Sequence, residues 1–173
     1  DNNPKADVVM FNIDNYKKSY KLRPKKCNSI DLFGFISMQI TFKIDSIKNK
    51  NIRFNPFFGT GSKFFQSGEE NIFLSNCYRT RMEIYYCPKK ILKREYSESS
   101  WFVGYSDKKY LSDRGAIFYE MSNTFFLLLV LQFAIRKRKL FYPIKIITAI
   151  KYMVEGKEEY IKKCLYNCDN LNI

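Results

Sequence analysis

Histidine is absent from these 173 residues, and acids are scarce, with 17 Asp and Glu against 30 Lys and Arg. Without imidazole the chain can assemble neither a Ser-His-Asp nor a Cys-His site, and it lacks the usual general base near neutral pH. The acids that remain, Glu69-Glu70, Glu95 with Glu98, and Glu158-Glu159, read as solvated turns or helix faces rather than partners across a cleft. The expectation is a non-enzyme with no cofactor. Cys27, Cys77, Cys87, Cys164 and Cys168 include no CxxC pair and have no histidine to complete a mixed zinc site, so no metal is expected. An N-x-Ser/Thr sequon is also missing, and Cys164 and Cys168 stand one helical turn apart, where a mutual disulfide would distort the backbone. Free thiols in a reducing, cytoplasmic compartment follow as the expectation. Long apolar runs are lacking too: residues 125–135 form the longest, well short of the ~20 a spanning helix needs.

What is present is aromatic and basic. Phe, Tyr and Trp make up 17% of the chain and accompany many Ile residues, a composition suited to pleated, half-buried surfaces. The net charge of +13 points to an anionic partner, either acidic lipid or nucleic acid. A coding bias that scatters lysines, as in AT-rich genomes of malaria-type parasites and some viruses, is the plainer source of the same charge. Nothing in the sequence sets an oligomeric state.

Residues 1–28 read as a basic extension, carrying Lys17, Lys18, Lys21, Arg23, Lys25 and Lys26 around Pro24. A single β-rich domain is expected over 29–168, followed by a tail at 169–173. Between residues 30 and 44 the even positions Ile30, Leu32, Gly34, Ile36, Met38, Ile40, Phe42 and Ile44 alternate with mostly polar odd ones, apart from Phe33 and Phe35, which predicts a strand. Residues 45–50 then read as a hairpin loop and 51–58 as the returning strand. Gly59-Thr60-Gly61-Ser62-Lys63 lacks the spacing of a phosphate loop and reads as a turn. Ile72, Leu74, Tyr78, Met82, Ile84 and Tyr86 predict a further strand or bent pair, and two more are expected at 100–104 and 116–121. Residues 125–135, apolar on both faces, read as a central strand, with a short buried helix as the alternative. After Pro143, Ile146, Ile147, Ile150, Met153, Val154, Ile161, Cys164 and Leu165 recur at helical spacing, with Gly156 placed to bend the helix. The predicted class is α+β and β-rich: six or seven antiparallel strands, as a sheet or partly open barrel, closed by a C-terminal amphipathic helix.

The expected first hairpin gathers cations, with Lys43 closing one strand, Lys48 and Lys50 in the loop and Arg53 opening the next. Ammonium groups and backbone amides could there surround a phosphate, and Arg79 and Arg81 could add forked donors from a neighbouring strand. An ordinary solvated hairpin is the plainer account of the same charges. This pattern of seven strands, basic first hairpin and closing helix resembles a pleckstrin-homology domain, and with its parasite-like composition it resembles the acylated pleckstrin-homology type of apicomplexans. That resemblance implies binding of phosphatidic acid or a phosphoinositide at a membrane surface through Lys43, Lys48, Lys50 and Arg53. The only tryptophan here is Trp101, whereas that family usually carries one in its final helix. The order of elements is similar also to START-type lipid carriers, in which Pro143 would open a helix closing over a cavity lined by Phe125, Leu127, Leu129 and Ile150.

Three readings follow. The first is a peripheral module that binds anionic lipid headgroups at a membrane surface. The second is a nucleic-acid-binding module using Tyr78, Arg79, Arg81, Tyr85 and Tyr86 for stacking and phosphate contacts. The third is an internal lipid carrier.

Overall fold

The computed structural model describes residues 5–14, 23–93 and 106–170. Lys17, Lys18, Lys21, Glu95, Glu98, Trp101 and the strand expected at 100–104 lie outside the described residues, as does the side chain of Cys168. The chain divides into two compact units. The first comprises Asp1–Asn55 with Glu69–Glu98, and the second Pro56–Gly68 with Ser99–Ile173.

The first unit is built on a mixed four-stranded sheet. Its strands are β1 (Val8–Asp14), β2 (Lys25–Lys26), β3 (Ile40–Phe42) and β4 (Ile84–Lys93), in the order β2-β4-β1-β3. The stretch read as part of an extension therefore supplies an inner strand. Val8, Met10 and Ile13 are buried, and β1 pairs in parallel with β4, Val8 opposite Ile84 and Met10 opposite Tyr86. β3 runs antiparallel to β1 on its other side, and β2 antiparallel to β4. A parallel pair needs a crossover, and the chain makes it through β3 and the helices α1 (Ile44–Asn49) and α2 (Glu69–Arg79). α2 turns Phe73, Leu74 and Cys77 into a core shared with Val8, Met10, Ile84 and Tyr86.

The six- or seven-stranded antiparallel sheet or barrel is thus corrected to an open four-stranded mixed sheet accompanied by five α-helices among the described residues. The expected strand at 30–44 shrinks to Ile40–Phe42 because its even positions do not share a face: Leu32 is buried while Ile30 and Met38 are exposed. Gln39, an odd position read as outward, is buried, and its amide donates to the Phe11 carbonyl at 2.9 Å. The hairpin loop at 45–50 is largely α1, and no regular strand forms over 51–58. The strand signal at 72–86 splits into α2 and β4, since Asn76 and Thr80 interrupt the apolar alternation. Glu69 and Glu70 in the first turn and Arg79 in the last complement the helix dipole.

The second unit is helical, with α3 (Lys108–Met121), α4 (Phe126–Arg136) and α5 (Ile146–Asn170). The strands expected at 116–121 and 125–135 are helices α3 and α4. A segment apolar all round offers no period to separate the two states, so packing decides. α5 runs unbroken where the periodicity places a helix, yet its buried positions are Ala149, Met153, Gly156 and Tyr160, while Ile147 and Leu165 are exposed. Gly156 serves contact rather than bending. A Cβ there would lie 1.9 Å from the Ser112 carbonyl oxygen, and one on Gly115 would lie 1.7 Å from that of Met153. α3 and α5 consequently meet backbone to backbone at two reciprocal glycines.

The segment 56–68 is fastened to these helices. Phe58 and Phe65 pack on the Tyr160 ring at 5.2 and 5.8 Å, and the Gln66 amide donates to the buried Asp113 carboxylate at 3.1 Å. The Lys109 ammonium bonds both that carboxylate and, at 2.8 Å, the Phe64 carbonyl. Within the same segment Gly59-Thr60-Gly61-Ser62 is a turn, closed by Ser62 N–H donating to the Gly59 carbonyl at 2.9 Å. Among the described residues no helix is long and apolar enough to cross a membrane.

Candidate functional site

The six cations singled out from the sequence all fall in the sheet-bearing unit, but they are not arranged as a hairpin pocket. Lys43 precedes α1, Lys48 lies in its last turn, Lys50 follows it and Arg53 stands in the irregular segment beyond; all four are exposed. Lys43 and Lys50 do converge, on a carboxylate of the protein itself. Asp7 accepts hydrogen bonds from the Ser46 hydroxyl at 2.6 Å and the Glu83 amide at 2.9 Å. Burial opposes its ionisation, but those two bonds and the charges of Lys43 and Lys50 hold its carboxyl below the ordinary value. The place a phosphate would take between these two lysines thus has an acid beside it. Arg79 and Arg81 are not on a strand: Arg79 ends α2 and donates to its own-helix Asn76 at 3.0 Å, while Arg81 turns the chain toward β4 with φ of 59°.

The stacking surface expected at residues 78–86 is likewise divided. Tyr78 is exposed, whereas Tyr86 belongs to the core beside Phe35. Cys77, buried in the same core, has its thiol pushed up to about 12 by desolvation, which keeps it from acting as a thiolate nucleophile near neutral pH. Of the proposed cavity lining, Phe125 and Leu127 face solvent, and Leu129 and Ile150 pack against the helical core.

The surface that departs most from an ordinary protein exterior is on the helical unit, where α4 is apolar on two adjoining faces, one buried and one exposed. Phe126, Val130 and Ala134, spaced i, i+4 and i+8, are buried against Leu111, Phe118, Phe141, Ala149 and Met153. The adjoining, outward face carries Leu127 (63% exposed), Leu128 (63%), Leu131 (46%) and Ile135 (59%), with Phe125 (60%) at the helix start. At 100° per residue these four helical side chains fall within about a third of the circumference, so they form one stripe. Removing five such half-exposed side chains from water is worth on the order of 5 kcal/mol.

Arg136, Lys137, Arg138 and Lys139 follow directly at the helix end. All four are exposed, and none pairs with an acid among the described residues. Their setting explains this lack. Between Glu120 and Glu155 the chain contains no Asp or Glu, while Lys145 and Lys151 add to the four cations. Among the described residues only Lys151 of this set reaches an acid, Glu155 at 4.0 Å. Cations at a helix C-terminus are favourable to the dipole, so the cluster also stabilises the helix it ends.

Sequence reasoning passed over this surface because it took 125–135 as a strand covered on both sides. The available signal was the sharp boundary between an apolar run and a run of four cations, which an interior strand has no reason to carry. No protein-family model, curated protein or solved structure matches this chain, so the reading of this surface rests on its own chemistry.

Proposed function

We propose that this protein is a non-enzymatic peripheral module that binds anionic lipid surfaces, using the basic end of α4 rather than the segment 43–53 as its principal contact. The observation that supports this reading is the acid-free stretch from Met121 to Val154, with Arg136, Lys137, Arg138 and Lys139 exposed together. A cationic surface without interspersed acids attracts a layer of lipid phosphates instead of satisfying itself. Each Lys or Arg near an anionic bilayer contributes about 1 kcal/mol, so the four together supply about 4 kcal/mol. Alone, that corresponds to roughly millimolar affinity, a reversible attachment sensitive to salt. Lys43, Lys48, Lys50 and Arg53 add long-range attraction without a defined site.

Co-sedimentation with vesicles tests the reading. Vesicles of phosphatidylcholine containing phosphatidic acid or phosphatidylserine should retain the protein at low salt, and pure phosphatidylcholine should not. Equal absence of binding to every vesicle type would overturn it. Binding of single-stranded RNA that excludes vesicles would replace it with the nucleic-acid reading.

A further inference from the structure

The exposed stripe of α4 asks for something that charge alone does not supply, because lipid headgroups do not cover leucines. We infer that α4 inserts this stripe into the boundary between headgroups and acyl chains of an anionic bilayer, lying parallel to the membrane plane. This rests on the lipid-surface reading and deepens it by naming the buried element and its orientation.

Four observations carry it. α4 spans Phe126–Arg136, about 16 Å at ~1.5 Å per residue, roughly half of a ~30 Å hydrocarbon core, so it can lie in a membrane but not cross one. Within the helix the residues before Arg136 carry no charge, and their only polar side chain, Gln132, is exposed at the edge of the stripe, where its uncharged amide would meet the headgroups during shallow burial. The cations come immediately after, where a helix lying in the interface would hold them at headgroup level. Tyr142, strongly exposed a few residues on, has the amphipathic ring such a boundary accommodates.

The shape of the surface selects this occupant over a protein. The outer side of a single helix is convex, and fluid acyl chains conform to it, whereas a protein would need a matching groove. A second copy of the chain brings the same unpaired cations and the same charge of +13 to the contact, which opposes that pairing.

Two variants of the full chain test the inference, with vesicles of phosphatidylcholine and phosphatidylserine as the probe. Leu131→Trp places a reporter in the stripe, read against the unsubstituted protein, which contributes the signal of Trp101. On adding vesicles the new emission should shift to the blue and be quenched by lipids brominated near the headgroup end of the acyl chain. The triple change Leu127→Ser, Leu131→Ser, Ile135→Ser should leave the circular dichroism and melting of the protein intact. It should also abolish the vesicle binding that survives in ~1 M salt, where the screening length falls to about 3 Å. At low salt the triple variant should still bind, at least tenfold more weakly.

Co-sedimentation of Leu131→Trp with neither shift nor quenching overturns insertion while leaving the lipid-surface reading in place. No sedimentation of any form at low salt overturns both. A blue shift that depends on protein concentration and needs no vesicles, together with dimers in sedimentation equilibrium, assigns the stripe to a second copy and overturns the inference.

Discussion

Helices α2 and α4 are each 11 residues long, yet they treat water differently. In the sheet-bearing unit α2 sends Ile72, Phe73, Leu74 and Cys77 inward and leaves polar residues such as Arg79 outside. In the helical unit α4 sends Phe126, Val130 and Ala134 inward and leaves a second set of large apolar residues in water. Phe73, Leu74 and Cys77 belong to the core of the sheet-bearing unit, and Phe126, Val130 and Ala134 to that of the helical unit. The excess lies on the outer face of α4, and because folding has already buried what the core requires, that excess points outward to binding.

The charges follow the same division. In the sheet-bearing unit the cations near α1 are balanced in part by Asp7, and Lys26 and Lys90 pair with Glu83 and Asp14 at 2.7 Å each. Around the end of α4 no described acid balances them. Charge that is locally answered contributes to the fold, and charge left unanswered is available to a ligand.

The largest effect that would break this contrast is at the helix crossing. Gly115→Ala or Gly156→Ala places a methyl group inside a facing backbone carbonyl, and backbone, unlike a side-chain end, does not swing aside. Either change should destabilise the helical unit by about 3 kcal/mol or more. Urea denaturation read separately in each unit should show the helical transition moving and the other holding its place. Coincident shifts of both would show that the two units melt as one.

A middle-sized effect separates the two sets of cations. Reversing Arg136 and Arg138 to Glu should weaken binding to phosphatidylserine vesicles at least tenfold, whereas reversing Lys48 and Arg53 should weaken it about twofold. Each pair is exposed, so neither should change stability by more than ~0.5 kcal/mol. Equal losses would make net charge, and not the position of the α4 cluster, the determinant of attachment.

The smallest effect sharpens the comparison through two buried or half-buried carboxylates of opposite habit. Asp7 has its pKa lowered in the fold, so its contribution is present above the ordinary value of 3.8 and fades as pH falls through the folded value. Asp113 has its pKa raised, chiefly by burial, against the opposing bonds from Lys109 and Gln66. Its ionised form is the disfavoured one, so its contribution is most favourable below 3.8 and declines as pH rises through the folded value. Asp7→Asn, which turns an amide group toward the Ser46 hydroxyl or the Glu83 amide, should cost about 1 kcal/mol at pH 7 and less at pH 3. Asp113→Asn should cost less at pH 7 than at pH 3. Denaturation curves at the two pH values should therefore give differences of opposite sign for the two variants.

Parts of this were legible in the residues alone. Helical spacing after Pro143 marks α5, and the alternation at Ile84 and Tyr86 marks β4, because in each the apolar period matches the geometry of the element. The alternation at 30–44 misled because Gln39 occupies an inward position by bonding the Phe11 carbonyl, a partner 28 residues away that no local pattern announces. The first hairpin is replaced by α1 and the segment after it, from which Lys43, Lys48, Lys50 and Arg53 take their spacing.

By itself the sequence determined the excess of positive charge, the lack of histidine chemistry, and the sharp junction between residues 125–135 and the four cations that follow. These are sums and neighbours along the chain, and folding does not alter them. Only the tertiary structure decided which apolar residues are spent on a core and which remain in water. A segment apolar on every side has no intrinsic inside: Leu127, Leu128, Leu131 and Ile135 became a surface because Phe126, Val130 and Ala134 reached α3 and α5 first.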